Sequence, residues 1–214
     1  MQLGRVFISL LSAAFLVVAT STDCWMVNAD DSLEVSEKCR GLWWECVTST
    51  VDGIRTCDDY DSILSELPLK LVVTRSLMIV ADILACFSFI LLVLGLDCVK
   101  LLDEEVALKA KICLVAGIMQ LIGGVLGTVG SVWYAVDVYM ERTTLVIQNV
   151  FLGIYYQWGW SCWLAMAGSM SSLLSGSILC CFCPLEGLLS RSNHPTYHPS
   201  TSATGKMYAL NTRV

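Results

Sequence analysis

Charge is what this sequence has least of. Only 15% of its 214 residues are Asp, Glu, Lys or Arg, where a water-soluble chain carries roughly 25%. Hydrophobic residues make up 56%, so too little polar surface remains to wrap a core in water. The natural solvent is lipid. Basic runs are missing too, and the net charge is −6, which argues against nucleic acid as a partner because phosphate needs clustered Lys and Arg. No nucleophile–base pair, phosphate-binding loop or metal-ligand set stands out, so no enzyme, no cofactor and no tightly bound metal is expected. Cysteine, by contrast, is plentiful at eleven residues.

Four apolar stretches cover residues 6–19, 77–96, 112–132 and 161–182. A helix needs about 20 residues to cross the hydrocarbon core; the last three suffice and the first must borrow its flanks. Arg5, the run after it and Ala19-Thr20-Ser21 also fit a cleavable signal peptide. Cys24, Cys39, Cys46 and Cys57 fall in the polar segment between the first two stretches. An even set in a polar loop reads as disulfides in an oxidising compartment, which places this segment outside the cell. Zinc fits poorly, because no close-spaced cysteine pair and no His occur there. The expected layout is a cytoplasmic end 1–5, spans 6–22, 77–97, 112–133 and 161–183, extracellular segments 23–76 and 134–160, a cytoplasmic loop 98–111 and a tail 184–214.

The first extracellular segment alternates apolar and polar residues in Gly41-Leu42-Trp43-Trp44-Glu45-Cys46-Val47-Thr48, which predicts short strands with a turn at Asp52-Gly53. Roughly fifty residues are marginal for an independent core, so a disulfide staple is expected. Here the acids concentrate. Asp23, Asp30, Asp31, Glu34, Glu37, Glu45, Asp52, Asp58, Asp59, Asp61 and Glu66 outnumber Lys38, Arg40, Arg55, Lys70 and Arg75 by six. Such a surplus gathers cations, and rings of carboxylates select them. The plainer alternative is a solvated acidic face.

Asp82 is the lone formal charge in its apolar run, and Gly123 and Gly127 have the spacing of close helix packing. Cys180, Cys181 and Cys183 end the fourth span as candidates for palmitoylation; Cys180 and Cys183 also form the C-x-x-C of a thiol oxidoreductase. After Pro184 the tail, with Pro195 and Pro199, reads as disordered. It ends in Thr212, Arg213 and Val214, the pattern that adds as a strand to a PDZ domain.

Trp25, then Gly41-Leu42-Trp43, then Cys46 and Cys57 together resemble the claudin signature. Tyr60 and Arg75 match positions typical of that family, and the stretch from Trp25 to Arg75 is similar to its paracellin, magnesium-associated type. The resemblance implies that the first stretch is retained, giving a four-transmembrane left-handed helix bundle with a small extracellular antiparallel β-sheet and both termini cytoplasmic. It implies a Cys46–Cys57 bridge. A second bridge, Cys24 to Cys39, is an expectation among the three pairings open to four cysteines. Trp25, Leu42 and Trp43 would form an aromatic corner seating the sheet. The stretch Val136 to Arg142 departs from the Phe-Tyr-Asn-Pro type sequence of many claudins.

The function implied is a tight-junction protein of the epithelial plasma membrane, building cation-selective paracellular channels, with Mg2+ and Ca2+ among the ions, and sealing cell contacts. Asp58, just beyond the second signature cysteine, would line the pore with help from Asp59 and Asp61, although alternation sends one of Asp58 and Asp59 to the opposite face. Divalent preference comes from the resemblance; the charge pattern supports cation preference. Implied partners are membrane lipid, other claudin protomers in the same and the facing membrane, PDZ scaffolds and the permeating cations. A related tetraspan adhesion molecule or auxiliary subunit can share the signature.

Overall fold

A computed structural model of the chain describes residues 2–30, 36–49, 51–59, 69–95, 106–148 and 154–193. Tyr60, Asp61 and the C-terminal Thr212, Arg213 and Val214 lie outside them. Four helices, α1 (Gln2–Ser21), α2 (Leu69–Leu94), α3 (Val106–Gln148) and α4 (Trp160–Asn193), each contain an apolar segment long enough to cross a membrane. With the five-stranded extracellular sheet below, they form the expected membrane bundle.

Lipid tails are as apolar as leucine, so close packing and interhelical hydrogen bonds hold such a bundle together. Glycine permits the approach. A Cβ on Gly124 would meet the backbone nitrogen of Leu173 at 2.9 Å, so α3 and α4 touch backbone to backbone. Buried side chains add the bonds. Ser12 donates to the Gly168 carbonyl at 3.1 Å, Ser172 to the Gln120 carbonyl at 3.0 Å and Ser88 to the Ala116 carbonyl at 2.7 Å. Asp82 is half-buried on α2.

Helix ends differ from the apolar runs. At 43 residues, α3 spans about 65 Å, roughly twice the hydrocarbon core, and continues far past residue 133. The reason is a second partner: Tyr134, Ala135 and Val138 are buried on the face that packs against Trp25 and the sheet. Helix α2 starts at Leu69, ahead of the apolar run. Helix α4 runs to Asn193, so the disorder expected from Pro184 does not begin there.

The sheet has five antiparallel strands: β1 (Met26–Asp30), β2 (Ser36–Arg40), β3 (Trp44–Ser49), β4 (Arg55–Asp59) and β5 (Ile154–Trp158), in the order β4-β3-β2-β1-β5. One edge therefore comes from the second extracellular segment. Between β3 and β4, Gly53 takes φ +65°, the left-handed conformation of the expected Asp52-Gly53 turn, and its N–H donates to the Ser49 carbonyl at 3.0 Å.

Candidate functional site

The signature residues form a corner where the sheet meets the bundle. Trp25 is fully buried, and its indole N–H donates to the Ala19 carbonyl at 2.7 Å while its ring meets Tyr134 edge-on at 5.1 Å. The indole of Trp43 donates to the Thr20 carbonyl at 2.8 Å. These carbonyls close α1, whose last turn has no helical donors of its own, so the tryptophans cap the helix and fix the sheet in one step. Arg75 lies 5.2 Å over the Trp43 ring and donates from Nε to the carbonyl of buried Leu42, tying α2 to the same loop. Gly41 has no room for a side chain, since a Cβ would stand 2.5 Å from the Asp23 Cα.

Two disulfides stiffen the sheet. Cys46–Cys57 joins β3 to edge strand β4 with Cα atoms 4.1 Å apart, and Cys24–Cys39 joins the segment before β1 to β2 at 4.9 Å. Asp23 lies close to the sulfurs of Cys46 and Cys57. That trio makes no metal centre, because the sulfurs are bonded to each other and Asp23 pairs with Arg55.

Ion pairs sort the extracellular acids into two groups. Asp23 is held by Arg55; Glu45 by Lys38 and, at 3.3 Å, by Arg40; Asp137 by Lys70; and Glu141 approaches Arg40 at 3.8 Å. Among the described residues no cation pairs with Asp52, Asp58 or Asp59, and all three are exposed. Register sharpens the division. Glu45 stands opposite Asp58, Arg40 opposite Glu45, and Lys38 opposite Val47. Alternation then puts Asp58, Glu45, Arg40 and Lys38 on one face of the sheet, and Asp59, Arg55 and the bridged cysteines on the other. One face thus presents Asp58 beside a carboxylate whose charge two cations already balance.

Several contributors carry no signal in the sequence. The pairs Arg55–Asp23, Lys70–Asp137 and Arg40–Glu141 unite distant segments. Gly159 is another: a Cβ there would fall 1.9 Å from the Cys24 carbonyl oxygen, and its N–H donates to Trp25 at 2.9 Å. At the cytoplasmic end Cys181 is exposed and Cys180 half-buried, whereas Cys183 is buried with its sulfur against that of Cys113 on α3.

Comparison with known proteins agrees with this geometry. Residues 1–179 match the PMP-22/EMP/MP20/Claudin family. The chain is 56% identical to Claudin-16 of Rattus norvegicus, covering 100% of this chain and 98% of that protein. It is 59% identical to Claudin-16 of Homo sapiens, covering 97% and 96%. Identity to Claudin-7 of Mus musculus is 27% over 95% of the chain and 96% of that protein.

Proposed function

The chain belongs to the PMP-22/EMP/MP20/Claudin family, and on that premise we propose that it forms cation-selective paracellular channels in which Asp58 is the principal carboxylate. It is a tight-junction claudin, a multi-pass membrane protein of cell contacts that assembles with other protomers and catalyses no reaction.

The observation that supports cation selection is the partition of the acids. Most carboxylates near the bundle have a basic partner, whereas exposed Asp58 on edge strand β4 has none among the described residues. A field-producing group needs to be uncompensated, open to water and held in place. Asp58 meets all three conditions, since it adjoins bridged Cys57. Asp59, on the opposite face, contributes less, and Asp61 is proposed as an assisting acid from its sequence position alone. Mg2+ sheds its water reluctantly, so exposed carboxylates acting through solvent suit a hydrated divalent ion; Mg2+ and Ca2+ are proposed from the likeness to the paracellin type. Thr212, Arg213 and Val214 are proposed to dock a PDZ scaffold, and Cys180 and Cys181 to carry acyl chains.

The test is a dilution potential across a tight epithelial monolayer, with and without the chain. A rise in cation over anion permeability upholds the proposal. If the protein reaches the junction and charge selectivity stays unchanged, it is a barrier, adhesion or auxiliary protein.

A further inference from the structure

The four extracellular cysteines pair in the sheet, and two more meet at the opposite end of the bundle. Cys113 lies near the start of α3, two residues after exposed Lys111. Cys183 ends the apolar part of α4, directly before Pro184. Both stand at the cytoplasmic face. Close packing of the two helices brings them together, since a Cβ on Gly117 of α3 would come within 2.9 Å of the Leu179 Cβ and the Cys180 Sγ. The sulfurs of Cys113 and Cys183 lie against each other, with Cα atoms 6.0 Å apart. A disulfide needs Cα atoms about 4.4–6.8 Å apart, so this pair can be joined or parted with little movement of the backbone.

The two thiols have different surroundings. Cys183 is 2% exposed and sits among Leu92, Ala116 and Leu179, with Val6 packed alongside, where all four helices meet. Cys113 is only half-buried, so a reagent from the cytoplasm reaches it first. Arg5 of α1 donates to the Cys183 sulfur at 3.7 Å, which sets a positive charge beside that sulfur when it turns anionic. An ordinary buried cysteine is a small apolar filler; it needs neither a second sulfur nor a guanidinium. The compartment completes the argument. Cytosolic glutathione holds thiols reduced, and the disulfides that do form there are usually transient or redox-sensing.

We propose that Cys113 and Cys183 form a reversible dithiol switch, reduced in the resting cytosol and oxidised by glutathione disulfide to a bridge that ties α3 to α4. The Cys113 thiolate attacks one sulfur of glutathione disulfide, forming a mixed disulfide and releasing one glutathione thiolate. The Cys183 sulfur then attacks the Cys113 sulfur. Their S–S bond forms as the second glutathione leaves, and the two thiol protons end on the two released thiolates. The protein gives up two electrons and glutathione disulfide takes them. In the bridged form the inner end of α4, which leads to the C-terminal tail, is fixed covalently to α3. This switch is independent of the extracellular acids and of the pore reading.

The test uses the full chain in sealed inside-out membrane vesicles, whose cytoplasmic face is bathed in glutathione buffers of graded potential. Thiols are then trapped with N-ethylmaleimide under denaturing conditions, and peptides are mapped without reduction. The peptide joining Cys113 to Cys183 should be absent at the reducing end and dominant at the oxidising end. Between them the bridged-to-free ratio should change about tenfold for every ~30 mV, the slope of one two-electron couple. Cys46–Cys57, on the sealed side, should stay bridged throughout. Cys113→Ser should leave Cys183 open to the maleimide at every potential; the wild-type titration stands without it if that variant fails to fold. The proposal is overturned by two free thiols in the most oxidising buffer, by a bridge that survives the most reducing one, by Cys183 joined to Cys180 instead, or by an acyl thioester on Cys183.

Discussion

Replacing Asp58 with Asn removes one uncompensated charge and leaves size and hydrogen bonding nearly unchanged. The size of the effect follows from Coulomb's law. For a hydrated ion passing one water layer away, at about 6–7 Å, with an effective dielectric constant of about 40–80 and a Debye length of about 8 Å, one carboxylate enriches monovalent cations by a factor of about 1.6–2.6. It depletes monovalent anions by the same factor, so Asp58→Asn should lower the cation-to-anion permeability ratio by the square, about 2.6–7-fold. A divalent cation feels twice the energy, so its permeability relative to a monovalent one should fall by a further factor of about 1.6–2.6. Asp59 lies on the other face of the sheet. At about 12 Å from the same ion path, Asp59→Asn should change the ratio by only about 1.3–1.7-fold. Dilution and bi-ionic potentials across a tight monolayer measure both quantities, with surface labelling to confirm equal delivery. A change below about 1.5-fold for Asp58→Asn at normal junctional abundance, or equal effects of the two substitutions, would refute the reasoning, because both follow from the stated dielectric range and screening length.

Four other substitutions probe the surroundings of that charge. Lys38→Gln removes a cation from the Asp58 face and leaves Glu45 to Arg40 alone, so cation selectivity in the same assay should rise rather than fall. Gly159→Ala forces a methyl group onto the Cys24 carbonyl; a loss of at least about 1–3 kcal/mol is expected from overpacking, seen as retention inside the cell by surface biotinylation. Arg75→Lys gives up the planar group over Trp43 and the Nε donation to Leu42, which should cost about 1–2 kcal/mol and lower the melting temperature of the detergent-solubilised protein. Cys57→Ser opens a bridge of sequence separation 11, worth about 3 kcal/mol in the chain-entropy picture, and should expose the turn between β3 and β4 to limited proteolysis.

The spans are legible in the sequence because some twenty successive apolar residues are a local signal that no soluble element imitates. Their ends are not. Nothing in the run up to residue 133 shows that α3 continues, because its continuation depends on Tyr134 and Val138 finding the far side of Trp25. The same distinction divides the sheet. Strand β3, the turn at Gly53 and strand β4 lie together in sequence and show the alternation and turn residues of a hairpin. Strand β5 pairs with β1 across more than a hundred residues, Met26 opposite Trp158, and the short stretch Ile154-Tyr155-Tyr156-Gln157-Trp158 has nothing local to announce its partner. At the site, the acids are visible as a surplus, but which of them remain uncompensated is a question of three-dimensional pairing. Asp23 and Asp58 look alike in the sequence; only the fold brings Arg55 to one and leaves the other in water.

That pairing also explains why a rigid corner belongs to a protein proposed to act through a field. Strand β4 is an edge strand with every residue exposed, and by itself it would wander. Cys46–Cys57 binds it to β3, and the β3–β2 and β2–β1 ladders carry the constraint inward. Trp25 and Trp43 fasten the inner end to the last carbonyls of α1, Arg75 fastens it to α2, and Gly159 to the start of α4. The acid is therefore held at the end of a lever rooted in three helices. Its influence decays quickly: moving the carboxylate from about 6.5 to about 9.5 Å from the ion lowers its enrichment factor from about 2.6 to about 1.6 at the lower dielectric constant. A displacement of one water diameter thus removes most of what neutralising the residue would remove. Substitutions in the corner, far from any acid, should weaken charge selectivity in proportion to how far they let β4 move.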